Sequence, residues 1–234
     1  MLQLFQAFGG PGRAALGCDP AYSMYPEYAR DTFTSWYTTH RKPDFTLDVD
    51  HTIDDIDAIQ PAMVVLTSPN NPTGTELPMT DLKRILEHCQ SAQVAGAHDG
   101  VHPIVVVDEA YIEFRQPGHA VGHDAHQRLR QSGREPHHEQ GIRVCGSPSG
   151  LSGGQRGYCG LPAHRAHAIP SVRRDAGGGA GGLDHRKEQL SQVDHLREIR
   201  EQTAAWLKEQ TYKGQPLEVA PSQSNFLLFG GPFR

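Results

Sequence analysis

Lysine is missing from the whole middle of this 234-residue chain: none stands between Lys83 and Lys187. Cysteine is sparse as well. Cys18, Cys89, Cys145 and Cys159 lie far apart with no CxxC pair, which fits reduced thiols in a cytoplasmic protein better than a disulfide framework. No run of about 18 apolar residues occurs, so no transmembrane helix is available and no membrane partner is expected. The opening MLQLFQAFGGPGRAALGC has neither a basic start nor a sustained apolar stretch, so a secretory signal is not expected. Excess positive charge is absent too: 22 basic residues face 27 acidic ones, and the net charge of −5 argues against a nucleic-acid footprint. Hydrophobic residues make up only 37%, low for a compact chain, and the length allows one large domain or two small ones.

The composition changes sharply along the chain. From His119 to Arg186 there are 8 of the 14 histidines and 14 of the 25 glycines, no Lys, Phe or Trp, and a single aromatic residue, Tyr158. No helical or strand period lasts more than a few residues there. On either side the sequence reads as ordinary α/β protein. Ala62 to Thr67 (AMVVLT) and Ile104 to Val107 (IVVV) are short, β-branched apolar runs of the kind buried on both faces of a parallel sheet. Between them Met79 to Gln93 has Leu82, Ile85 and Leu86 at helical spacing, with Thr80 or Asp81 as the expected N-cap. A long helix is expected from Lys187 to about Gln210, then strand-like pieces at Leu217 to Val219 and Phe226 to Phe229.

Strand, helix, strand implies a parallel crossover, and in such sheets ligands sit beyond the carboxyl ends of the strands. The residues just past each strand are therefore the candidates for chemistry. After the first strand comes Ser68 to Gly74 (SPNNPTG), a rigid turn carrying two amides, which could equally be a plain Pro/Asn turn. At the end of the second stands Asp108, in DEAY, a carboxylate that is costly to bury without a cation or several donors, although a capping Asp is common. Tyr111 stands three residues later. Pro20 to Tyr25 (PAYSMY) comes after an early apolar run and offers aromatic faces for a flat ligand or for the core.

In this order and spacing, GGPG, PAYSMYP, SPNNPTG, VVVDEAYIEF and the late SNFLLF resemble the large domain of fold-type I pyridoxal-phosphate (PLP)-dependent aminotransferases, and among them the histidinol-phosphate aminotransferases. The resemblance covers residues 1–118 and about 185–232. It implies an α/β fold: a partial three-layer large domain with a mainly parallel sheet over 1–118, an anomalous segment over 119–184, a linking helix over 185–213 and the start of a small domain over 214–234. Both ends of the family's chain are expected to be missing. The resemblance further implies PLP as cofactor, with Asp108 pairing with the ring nitrogen, Asn71 and Tyr111 donating to the phenolic oxygen, and Tyr22 stacked on the ring. Asn225 matches a residue near the substrate carboxylate. The implied reaction is transamination between an amino donor, histidinol phosphate, and a 2-oxo acid, 2-oxoglutarate, in histidine biosynthesis, by a cytoplasmic homodimer. Aromatic amino-acid aminotransferases share these motifs, so an aromatic amino acid is the alternative substrate; a non-catalytic remnant is the other alternative.

The family also needs a lysine to carry the cofactor, within a stretch like S-K-A-F-A-x-A-G, and a nearby Arg for its phosphate. Dropping the first base from a permitted back-translation of Glu139 to Gly153 (EQGIRVCGSPSGLSG) yields S-K-A-F-A-F-A-G-A-R-V-G-Y-L, the missing segment. Its lysine codon straddles Gln140 and Gly141. Ala163 to Ala176 shifts in the same way to R-I-V-R-M-P-Y-H-L-S-A-V-T-Q, again family-like. A frameshift over about 119–184 explains the excess of His, Gly and Arg, and such text should be irregular because its apolar pattern was not selected to pack. The spacings of His119, His123, His126, His137, His138, Cys145, Cys159, His164 and His167 fit no standard zinc arrangement, so no metal is expected. GGGAGG at Gly177 to Gly182 has no leading strand and no Lys after it, unlike a phosphate loop. Resequencing the gene should reveal a one-base disturbance just after Gly118 and a compensating one near Asp184 to Arg186; codons that forbid the shifted reading would refute it.

Overall fold

A computed structural model describes residues 1–117, the backbone of 141–144 and of 186–189, and residues 190–233. Helix α1 (Leu2–Phe8) leads into β1 (Ala14–Asp19), α2 (Met24–Asp31), β2 (Ser35–His40), α3 (Val49–Ile59), β3 (Met63–Thr67), α4 (Met79–Cys89) and β4 (Ile104–Asp108). A single 3-10 turn, Ile112–Phe114, comes after β4. The strands form one parallel sheet in the order β2-β1-β3-β4-β5, with β5 at Gly141–Val144.

Residues alternating along the central strands go to opposite faces. Leu16, Cys18, Val64, Leu66, Val105 and Val107 pack with Ile56 of α3 and Leu82, Ile85 and Cys89 of α4. Ala15, Met63, Val65 and Val106 pack instead with Phe5 and Phe8 of α1 and Tyr25 and Ala29 of α2. Helices cover both faces, giving three layers, so β3 is buried at every position and must be apolar almost throughout. The fold is α/β, as the sequence implies. Gly17 sits where a Cβ would come within 2.4 Å of the Trp36 ring of the neighbouring strand.

Local signals set the helix ends. Asp48 caps α3 by accepting from the His51 N–H at 3.3 Å, and α3 stops at Gln60, whose left-handed φ of 50° turns the chain toward β3. α3 and α4 lie side by side, joined at the surface by Arg84 to Asp50 and His88 to Asp57. The expected N-cap of α4 at Thr80 or Asp81 is not used. The helix starts one residue earlier than Thr80, after Pro78, which has no side-chain cap and whose carbonyl accepts from Asp81 and Leu82.

After the segment that lies outside the described residues comes α5 (Arg186–Lys208), two residues shorter than expected at its end. It buries Val193, Arg200 and Leu207, seven apart on one face, against the 3-10 turn and β8 (Glu218–Val219). Two antiparallel ribbons close the chain, β6 (Thr211–Tyr212) with β7 (Gln215–Pro216), and β8 with β9 (Phe229–Gly230). The strand expected over Phe226 to Phe229 reduces to its last residue, because Ser222 and Ser224 capture the Phe226 carbonyl in a side-chain turn instead of a ladder. The expectation that 119–184 is irregular needs correction at one place. Gly141–Val144 pairs with β4 in register, Val105 to Gly141 through Asp108 to Val144, so the free edge of β4 finds a strand there.

The two-sided core makes a stability prediction. Ile85→Ala should lower the unfolding free energy by about 2–5 kcal/mol in urea denaturation, whereas Val101→Ala, on an exposed loop, should stay within about 0.5 kcal/mol.

Candidate functional site

The carboxyl ends of β1, β3 and β4 supply the candidate residues, and the turn after each strand is tied to another. After β3, the Ser68 N–H donates to the Asp108 carbonyl at 3.0 Å, carrying the ladder one residue past the strand. The turn then closes on itself: Asn70 N–H donates to Thr75 O at 2.8 Å and Gly74 N–H to Asn70 O at 2.7 Å. The fully buried Asn70 side chain donates to Thr73 Oγ1 at 2.8 Å and across to the Pro20 carbonyl at 3.0 Å. The two amides of SPNNPTG therefore divide their work. Asn70 fastens this turn to the one after β1, and Asn71 is left facing outward from it. Its Nδ2 donates to Tyr111 Oη at 3.2 Å.

Asp108 is the last residue of β4 and only 8% exposed. Its Oδ1 accepts from the Ala110 N–H at 3.1 Å, and its Oδ2 accepts from Tyr25 Oη at 2.8 Å. Burial pushes its carboxyl above the ordinary value, against the opposing pull of Tyr25, the Ala110 N–H and the Met1 amine. Among the described residues, no Lys, Arg or His forms an ion pair with it. Tyr25 is 1% exposed and meets the Tyr22 ring edge-on at 5.6 Å. Burial first, and then the adjacent carboxylate, drive its phenol far up, so it remains a donor.

The late segment reaches the same place. The Phe226 ring stands edge-on to Tyr111 at 5.0 Å. Arg200 is buried, and its Nη1 donates both to the Phe114 carbonyl at 2.9 Å and to the Ser224 carbonyl at 2.8 Å, joining the stretch after Tyr111 to the stretch before Asn225. Ser222 presses on Gly74, where a Cβ would meet its Oγ at 2.3 Å, and the Gln223 N–H donates to the Gly74 carbonyl at 2.8 Å. Gly74 also needs its φ of +75°, so two constraints demand glycine there.

Asn71, Asp108 and Tyr111 thus stand at or just past the ends of adjacent strands, Asn71 bonded to Tyr111 and Asp108 bonded to Tyr25, whose ring meets Tyr22. Tyr22 is 40% exposed, with its ring set on the edge of Tyr25. Asn225 is exposed between Ser224 and Phe226. Gln140 lies outside the described residues, as do the histidines and cysteines weighed for zinc and the GGGAGG run; Gly141 begins β5. Among the described residues no cluster of His, Cys, Asp or Glu could hold a metal ion. A cavity of about 700 Å³ opens farther out, lined by Asp19, His40, Arg41, Phe45 and Phe233 among others, and none of Asn71, Asp108 and Tyr111 lines it. Sequence reasoning missed Tyr25, Arg200 and Gly74. Tyr25 lies in the same aromatic PAYSMY run as Tyr22, and that was the available signal.

The sequence family described as aminotransferase class I and II matches residues 1–232. The chain belongs to that family. It is 56% identical over 235 residues to the histidinol-phosphate aminotransferase of Bifidobacterium adolescentis, covering 100% of this chain and 60% of that protein. Against the enzyme of that name from Bifidobacterium longum the identity is 54%, with the same two coverages. The chain thus spans about 60% of the length of these curated relatives. The crystal structure of histidinol-phosphate aminotransferase from Sinorhizobium meliloti, in complex with pyridoxal-5'-phosphate, superposes with a TM-score of 0.70 at 14% identity, over 97% of this chain and 58% of that one, and so shares its fold.

The raised carboxyl of Asp108 fixes the sign of a pH effect. A carboxyl whose folded value lies above its unfolded value contributes stability that is present at low pH and is lost as pH rises through the folded value. Asp108→Asn should therefore raise the thermal stability of the cofactor-free chain at neutral pH, and the gain should vanish below about pH 4, where the unfolded carboxyl is protonated too.

Proposed function

We propose that this chain is the cofactor-ring half of a PLP-dependent transaminase acting on histidinol phosphate and 2-oxoglutarate, and that as written it lacks the means to complete the reaction. The observation that carries the reading is the buried Asp108, held at a strand end by donors alone, beside the Asn71 and Tyr111 pair. A carboxylate satisfied only by donors fits a cationic ring nitrogen, and two polar hydrogens together fit a ring oxygen. The high identity to two enzymes named for histidinol phosphate supports that substrate.

Bound there, PLP supplies a sink for the electrons left when an amino-acid Cα–H bond breaks. Asp108 would hold the ring nitrogen protonated, which sustains that sink. Asn71 Nδ2 and Tyr111 Oη, 3.2 Å apart, would donate to the phenolic oxygen and fix the ring's rotation. Tyr22 would cover one ring face. Asn225, next to the carbonyl that Arg200 holds, would meet the substrate carboxylate. We assign residues 1–118 to the large domain, 119–184 to an out-of-frame segment, 185–213 to a linking helix and 214–234 to the start of a small domain. The in-frame protein would be a cytoplasmic homodimer.

The lysine that would carry the cofactor and move the Cα proton does not occur between Lys83 and Lys187. Loss of a general base alone costs about 10²–10⁴-fold in rate, and loss of the covalent link adds to it. The purified chain with PLP, histidinol phosphate and 2-oxoglutarate should therefore form no glutamate above background, and borohydride should leave no cofactor on any lysine. The same gene re-read in the shifted frame over 119–184 should trap PLP on its restored lysine. Glutamate formation and lysine trapping by the chain as written would overturn the reading, and so would a restored chain that binds no PLP.

A further inference from the structure

Tyr25 is the polar side chain most deeply engaged with the candidate site, and the roles assigned above do not use it. Its ring sits in the core between Trp36, at 6.2 Å, and the edge of Tyr22, at 5.6 Å, on a helix whose other buried residue is Ala29. A phenol so buried must place its hydroxyl on a partner. The partner is Asp108 Oδ2 at 2.8 Å, while Oδ1 is taken by the Ala110 N–H at 3.1 Å. Each carboxylate oxygen thus has one donor, one from the strand's own turn and one from the helix packed on one face of the sheet.

We propose that Tyr25 is a positioning residue of the ring site: its hydroxyl, anchored in the core by its own ring, fixes the orientation of the Asp108 carboxylate and favours its ionised form. The proposal rests on the reading of Asp108 as partner of a cationic ring nitrogen. A short charge-assisted hydrogen bond from a group that cannot itself ionise at neutral pH does two things. It removes the freedom of the carboxylate to rotate. It also offsets part of the penalty that burial places on the negative charge. The groups acting on the pair are few. Tyr22 lies at the edge of Tyr25, Thr67 reaches the phenol from the adjoining β3, the Ala110 N–H and the Met1 amine act on the carboxylate, and the Tyr28 phenol feels its charge. Tyr25 stands first among those that favour the ionised form of Asp108. Tyr28, one turn along α2, feels the Asp108 charge without a hydrogen bond to it, and so serves as a control for the bond itself.

The test uses the full chain without cofactor, labelled with ¹³C at the aspartate carboxyls, and tracks the Asp108 resonance by NMR against pH. Tyr25→Phe keeps the ring in place and removes only the hydroxyl. It should move the Asp108 midpoint upward by about one pH unit, the scale of one hydrogen bond to a charged group. Tyr28→Phe should leave the midpoint where it is, and circular dichroism should report a folded chain in both variants. An Asp108 midpoint unmoved in folded Tyr25→Phe, or moved equally by Tyr28→Phe, overturns the proposal. A second arm adds PLP labelled with ¹⁵N in the ring and reads protonation of the ring nitrogen from its shift. Both chains should hold the nitrogen protonated at neutral pH, and the unaltered chain, whose carboxylate is held in place, should bind the ring more tightly than Tyr25→Phe does. If the midpoint moves as expected while neither chain binds PLP, the ring-site reading fails and the coupling between Tyr25 and Asp108 stands.

Discussion

A carboxylate at the last residue of a strand covered on both faces has to be provided for, and in this chain the provision comes from a phenol 83 residues earlier. That bond constrains much of its surroundings. Tyr25 can reach Asp108 only because α2 lies over the face of the sheet occupied by Met63, Val65 and Val106, and α2 lies there because Tyr25 and Ala29 are themselves part of that core. Packing and polarity are thus settled together: the ring that fills the core also carries the donor that makes a buried charge tolerable.

The turns are held by a similar sharing of duties. Asn70, fully buried, commits its amide to Thr73 within its own turn and to Pro20 in the turn after β1, so two of the three strand ends are fastened together. Arg200 does for the later residues what Asn70 does for the early ones. From its seat on α5 it holds two backbone carbonyls, one beyond Tyr111 and one before Asn225. Neither residue is placed to touch a ligand. Each fixes backbone that carries the residues proposed for the cofactor and substrate.

Much of this was legible in the sequence, for physical reasons that differ from piece to piece. The runs AMVVLT and IVVV announced strands buried on both faces, since no half-exposed strand can be apolar at every position, and they fall within a residue or so of β3 and β4. From that order, the neighbourhood of Asn71, Asp108 and Tyr111 could be inferred by topology alone. The start of α4 was misjudged because Thr80 and Asp81 are good caps in isolation, whereas the Pro78 carbonyl already accepts from the first turn. The strand expected through Phe226 failed for a similar reason. A short apolar run suggested a strand, but the hydroxyls of Ser222 and Ser224 took the carbonyl that a ladder would have used. Tyr25 was visible as an aromatic residue but not as a donor, because its partner is remote in sequence and periodicity reports only near neighbours. β5 was unforeseen because the open edge of β4 beside it, rather than any period of its own, selects Gly141–Val144 as a strand.

The contact of Ser222 and Gln223 with Gly74 has a consequence for how the chain comes together. It closes a loop that contains the whole lysine-free middle of the sequence, so the turn after β3 gains its final support only when that distant stretch has been synthesised and has returned to it. The entropy lost in such a closure grows only with the logarithm of the number of residues enclosed. The closure therefore senses a count and not a text. A change of reading frame that rewrites the enclosed residues while preserving their number leaves the entropic cost of this clasp where it was, and lets the two flanks meet across material that neither of them specifies.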